Sequence, residues 1–137
     1  MSKLIESEAD VSALLASAKV VAVVGVSDKP DRASNSVAKY LQDNTDYTLY
    51  FVNPLLENVL GQKSFSSLRD IPEVIDIVDV FRKPSDIEAV MDEAIEIGAK
   101  SFWMQLGISE STQAARGVAA GMDVVQDKCI KIELAKK

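Results

Sequence analysis

The spacing of apolar residues changes period several times along the chain, and each change marks a structural element. Val11, Leu14, Leu15 and Ala18 recur at i, i+3, i+4 and i+7, which predicts a helix over 7–18 with Ser7 as a candidate N-cap. The run Val20-Val21-Ala22-Val23-Val24 is apolar without alternation and mostly β-branched. Such a run suits a strand covered on both faces, as in a parallel sheet. Gly25 ends it, a polar loop fills 26–33, and Ser34 or Ser36 opens a helix over Val37, Tyr40 and Leu41. A second strand over 48–52 stops at Asn53-Pro54. Further strands are expected over 75–81, 101–106 and 122–126. Between them lie a turn at Gly61 and a short helix over 66–71. A longer helix is opened by the capping box Ser85-Asp86-Ile87-Glu88 and closed by Gly98. Another runs from Ser109 to Gly121.

Five strands joined by mostly helical crossovers predict an α/β fold with a doubly wound parallel sheet and helices on both faces. The 137 residues suffice for one domain over 1–137, since two would each be too small for an adequate core. In such sheets, ligands bind outside the carboxyl ends of the strands, at the point where the strand order reverses. Composition then narrows the chemistry. There is no histidine, which removes Ser-His and Cys-His nucleophile pairs, histidine bases and phosphohistidine. One cysteine excludes an internal disulfide and, without histidine, a zinc cluster of the usual kind. No metal site or catalytic set is expected. The balance of 15 basic against 21 acidic residues argues against a nucleic-acid surface, although local donors can still bind a small anion. No apolar stretch is long enough to span a membrane, and residues 1–8 lack a signal-peptide run. A cytoplasmic location is the default expectation.

The first strand end carries most of the chemical signal. Gly25-Val26-Ser27-Asp28-Lys29-Pro30-Asp31-Arg32 lies between a buried strand and a helix start. Gly25 permits close backbone approach, and free helix-start amides with the Ser27 hydroxyl could hold phosphate. Lys29 and Arg32 add positive charge; the alternative is a solvated loop with a helix cap. The G-x-G-x-x-G dinucleotide fingerprint is absent, and Asn53 stands where a ribose-binding carboxylate would be expected. Pro54 offers a rigid wall for an adenine ring, or simply ends its strand. Phe81 and Arg82 close the third strand, where Arg82 can meet a phosphate or a surface carboxylate. Asp76 and Asp79 fall on opposite faces of that strand, which argues against a shared metal site. Gln105 at the fourth strand end can bond a ligand amide or cap a backbone group. Cys129 is expected to be a small buried side chain; Lys128 alone does not make it reactive.

Taken in order, these segments resemble the small stand-alone CoA-binding proteins, the YccU-like CoA-binding domain family. The resemblance rests on Val24-Gly25-Val26-Ser27-Asp28-Lys29-Pro30-Asp31-Arg32, Phe51-Val52-Asn53-Pro54, Ser67-Leu68-Arg69-Asp70-Ile71-Pro72, Val78-Asp79-Val80-Phe81-Arg82, Trp103-Met104-Gln105-Leu106-Gly107-Ile108 and Asp127-Lys128-Cys129-Ile130. It covers nearly the whole chain from about residue 10. It implies a Rossmann-like sheet, similar to the CoA-binding domain of the succinyl-CoA synthetase alpha subunit, with coenzyme A or an acyl-CoA across the strand ends. By that resemblance, Gly25, Val26, Ser27, Lys29 and Arg32 meet the phosphates, Asn53 and Pro54 the adenosine side, Phe81 and Arg82 the next wall, and Gln105 the same rim. Two positions depart from the family pattern. Val26 stands where alanine is common, which narrows the approach, and Lys128 stands where arginine is frequent, which loses bidentate contacts. The synthetase's phosphohistidine belongs to a further domain, so the acyl-CoA ligase reaction is not expected. The expectation is a monomeric or homodimeric module that binds a small CoA ligand. The alternatives are a CoA-thioester or CoA-disulfide enzyme using Cys129, a dinucleotide-binding redox module, and an interaction protein with a vestigial site.

Overall fold

The computed structural model describes residues 2–136. Its sheet has seven strands: β1 (Val20–Val24), β2 (Thr48–Val52), β3 (Asn58–Val59), β4 (Gln62–Phe65), β5 (Ile77–Val80), β6 (Ser101–Met104) and β7 (Asp123–Val125). Their order across the sheet is β3-β4-β2-β1-β5-β6-β7. All pairings are parallel except the β3–β4 hairpin, turned by Leu60 and Gly61, both at positive φ. The five expected strands are present. The hairpin adds two that sequence periodicity does not mark, because a two-residue strand and the mostly polar Gln62–Phe65 carry no apolar run.

Five helices cover the sheet: α1 (Glu8–Ser17), α2 (Ala33–Asn44), α3 (Ile87–Glu96), α4 (Ser111–Ala119) and α5 (Ile130–Ala135). Val11 and Leu15 of α1, Val37 and Leu41 of α2 and Ile130 of α5 pack with Val21, Val23, Phe51, Ile77 and Trp103 on one face. Ile87, Val90 and Met91 of α3 and Ala114 of α4 pack with Ala22, Val24, Val78, Val80 and Phe102 on the other. The alternation of strand residues between these two cores is why β1 is apolar at every position: all five residues are buried. The crossover through α2 carries the chain from β1 to β2, and those through α3 and α4 carry it from β5 to β7 in the opposite direction. Right-handed crossovers in opposite directions require opposite faces. The order therefore reverses between β1 and β5, and the crevice opens at Gly25 and Phe81.

Ser7 caps α1 as expected, its hydroxyl accepting from the Asp10 amide at 3.1 Å. Three helix starts differ from expectation. Residue 32, not Ser34 or Ser36, is the N-cap of α2, and no side chain caps that helix. Ser85 does not form its capping box, because Pro84 opens a 3-10 turn over Pro84–Asp86 that moves the cap to Asp86. Glu110, not Ser109, caps α4, its carboxylate accepting from the Thr112 amide at 3.1 Å. The short helix expected over 66–71 is a 3-10 turn at Leu68–Asp70, and α5 lies where no helix was expected.

Candidate functional site

Gly25 fixes the geometry of the crevice. Its φ is +84°, and a Cβ built there would lie 2.5 Å from the Phe81 carbonyl oxygen and 2.8 Å from Arg82 Cδ. No side chain fits both the conformation and the space, so only glycine lets β1 turn beneath the end of β5. The Gly25 amide donates to the Val52 carbonyl at 2.9 Å and the Phe81 amide to the Val24 carbonyl at 2.8 Å. The ends of β2, β1 and β5 are thereby locked in register, and the Arg82 side chain lies across Gly25.

The loop after Gly25 is held by side chains. Asn53 Nδ2 donates to the Val26 carbonyl at 2.8 Å, and Asn53 Oδ1 accepts from the Leu55 amide at 2.9 Å. Asn35 Nδ2 donates to the Ser27 carbonyl at 2.9 Å. Ser34 Oγ accepts from the Ser27 amide at 2.9 Å, and Ser27 Oγ from the Lys29 amide at 3.0 Å. Val26 is fully buried within the core beneath α2. The Ser27 amide is thus engaged within the loop, while its hydroxyl keeps a proton to donate.

Two clefts flank Gly25 and share Arg82. The first, about 370 Å³, faces α2 and is lined by Gly25, Ser27, Arg32, Ser34, Phe81, Arg82 and Lys83, among others. Three cations meet there and no lining residue is acidic. Among the described residues, no carboxylate lies within ion-pair distance of Arg32 or Lys83. The amides at the α2 N-terminus, left without a capping side chain, add the positive end of a helix dipole. The second cleft, about 160 Å³, faces α3 and is mainly apolar, with Val52, Pro54, Leu68 and Val90 in its wall beside Asp86 and Glu93. A third groove, of about 400 Å³, runs along α4 between Leu4 and Val118, but its walls carry no charged group. It suits no phosphate.

Of the ten expected site residues, Gly25, Ser27, Arg32, Phe81 and Arg82 converge on the first cleft, and Pro54 joins Gly25 and Arg82 on the second. Val26 and Asn53 build the loop from behind. Lys29 is exposed and outside both clefts. Gln105 is buried, and its Nε2 donates to Oδ1 of the fully buried Asp79. Burial pushes the Asp79 carboxyl up to about 7, partly offset by the Gln105 amide, and its Oδ2 has no hydrogen-bond partner among the described residues. Sequence parity signals this pair. Gln105 lies two residues beyond Trp103, which pairs in register with Asp79, so both side chains fall on the core face beneath α2. Ser34 and Lys83 line the first cleft and Asp86 the second, outside the ten expected residues. Asp86 was legible as the i+4 neighbour of Arg82. Cys129 packs partly buried at the start of α5 and lines neither cleft. Among the described residues no cluster of metal-ligating side chains occurs, and no helix is long and apolar enough to cross a membrane.

Comparison with known proteins gives concordant results. Residues 19–135 match the family described as "CoA binding domain". The uncharacterized protein YneT of Bacillus subtilis is 40% identical over 126 residues, covering 92% of this chain and 93% of that one. A solved hypothetical protein from Pyrococcus horikoshii superposes with a TM-score of 0.89 at 34% identity, covering 99% of this chain and 96% of that one. An ADP-forming acetate–CoA ligase of Archaeoglobus fulgidus is 39% identical over 59 residues, which is 43% of this chain but 8% of the ligase.

Proposed function

The chain belongs to the CoA-binding domain family, and from that premise we propose that it binds coenzyme A, free or as an acyl-CoA, across the carboxyl ends of β1, β2 and β5. The observation that carries this reading is the first cleft, where Arg32, Arg82 and Lys83 surround an uncapped helix start at the switch point. Coenzyme A brings a pyrophosphate and a 3′-phosphate, and a guanidinium fork matches a pair of phosphate oxygens. Gly25 lets the backbone approach, Ser27 and Ser34 supply hydroxyls, and Phe81 forms the wall. Pro54, Val52 and Leu68 form the slot for the adenine ring. Val26 and Asn53 hold the loop in shape, Lys29 adds charge at longer range, and Gln105 stays behind the rim on Asp79.

The role is recognition without turnover, in a cytoplasmic protein with no nucleic-acid partner. The ligase relative acts on acetate and CoA according to its name, but the matched segment is a small fraction of it. A nicotinamide dinucleotide is disfavoured by the missing second and third glycines of its fingerprint and by Asn53, held on the Val26 carbonyl and the Leu55 amide, in place of a ribose-binding carboxylate.

Isothermal titration calorimetry with CoA, dephospho-CoA and NAD tests the reading. Saturable CoA binding is expected. Arg32→Ala should weaken it about tenfold, equivalent to roughly 1.4 kcal/mol, and loss of the 3′-phosphate should weaken it as well. Binding of NAD but not CoA would replace this reading with a redox module.

A further inference from the structure

The two clefts that meet at Arg82 differ in charge. On the α2 side, Arg32, Arg82 and Lys83 line a cleft with no acidic residue in its wall; on the α3 side, Asp86 and Glu93 stand in a mainly apolar slot. A phosphate is drawn to the first and repelled by the second. Glu93 already has a structural task. Its Oε1 accepts from Ser67 Oγ at 2.7 Å and from the Leu68 amide at 2.9 Å, tying the 3-10 turn at 68–70 to α3. Asp86 has no such task. It makes no side-chain bond to the helix it caps, and among the described residues its ion-pair partner is Arg82. Arg82 Nη2 and Asp86 Oδ2 are 3.7 Å apart, and both side chains are more than a third exposed, at 41% and 37%. That separation is too long for a hydrogen bond, so the pair is held by charge alone and can be exchanged for another anion.

We infer that Asp86 is a specificity-determining residue of the site. Its charge keeps phosphate out of the α3 cleft, reserves that cleft for the uncharged base, and competes with the ligand's phosphates for Arg82. The inference rests on the CoA reading above and adds to it a direction: the phosphates lie toward α2 and the base toward α3. Because the Arg82 stem lies across Gly25, its guanidinium sits at the boundary and serves either side. Neutralising Asp86 therefore frees the arginine for anions and removes the barrier to them.

The test is calorimetry with CoA and with inorganic pyrophosphate on the wild type, Asp86→Asn, Asp86→Ser, Asp86→Glu, Arg82→Gln and the Asp86→Asn/Arg82→Gln double variant. Asp86→Asn is expected to bind pyrophosphate about three- to tenfold more tightly than the wild type. Asp86→Ser, which also keeps a short polar group at the helix start, should show the same gain, and Asp86→Glu should stay near the wild type. The gain should shrink when Arg82 is absent, as expected for two coupled residues. A gain of the same size without Arg82 overturns the inference. So does unchanged pyrophosphate affinity in Asp86→Asn and Asp86→Ser; if the wild type still binds CoA saturably, that result leaves the CoA reading standing. Failure of the wild type and both neutral variants to bind either ligand overturns both.

Discussion

The two ends of β5 use charge in opposite ways. At the entry, the Asp76 carboxylate accepts from the Lys19 amide at 2.8 Å and the Val20 amide at 2.9 Å, and Lys100 stands 3.7 Å away. Ser101 Oγ donates to the Asp76 carbonyl at 2.5 Å. The Asp76 carboxylate and the two strand-start amides are engaged there, and the starts of β1, β5 and β6 are tied together. At the exit, Arg82 has one ion-pair partner among the described residues, Asp86, at 3.7 Å, while Arg32 and Lys83 have no carboxylate within ion-pair distance among them. Charge at the entry has been used for stability. Charge at the exit is still available, which is how a binding site differs from a structural one.

Asp79 sharpens this contrast, because it lies three residues from Asp76 and is treated in the opposite way. Burial raises the Asp79 carboxyl to about 7. For Asp76, burial also raises the pKa, but the Lys19 and Val20 amides and Lys100 outweigh it and the net shift is downward. The consequences for stability have opposite signs. Asp79 holds its proton more tightly when folded, so its contribution is fully present below about pH 4 and is lost as pH rises toward 7. Asp76 gives up its proton more readily when folded, so its contribution is present above the ordinary carboxylate range and is lost on acidification.

The largest expected effect follows from Asp79. Asp79→Asn should stabilise the protein by about 2–4 kcal/mol at pH 8, with the gain shrinking to near zero at pH 4. Urea unfolding across that range measures it, and a gain independent of pH would show that folding does not raise the Asp79 pKa. A smaller effect of opposite sign is expected at the entry. Asp76→Ala should cost about 1–3 kcal/mol near neutral pH by leaving the Lys19 and Val20 amides without their acceptor. Affinity for CoA should be unchanged, and a parallel loss of affinity would erase the distinction between the two ends.

Much of this was readable in the sequence, for identifiable reasons. A strand buried on both faces must be a continuous apolar run, so Val20–Val24 was visible, and the α/β order of elements then placed Gly25 and Arg82 at the switch point. Polar or short segments were not visible: the hairpin over 58–65 has no apolar period. Local motifs misled where a neighbour overrode them. Pro84 displaced the Ser85 capping box, and Gln105, at the rim by chain position, is turned into the core by strand parity. Which cations share a wall, and the separation of the crevice into a basic cleft and a mainly apolar one, depend on side-chain packing that no spacing encodes.

The most direct measurement is a chemical-shift titration of isotope-labelled protein with CoA. The expected result is saturable movement of the amides of the non-proline residues over 25–34 and 81–86, with those of Lys19, Asp76 and Lys100 unmoved. Shifts centred on the entry of β5, or on the apolar groove along α4, would contradict the assignment of the exit as the binding end.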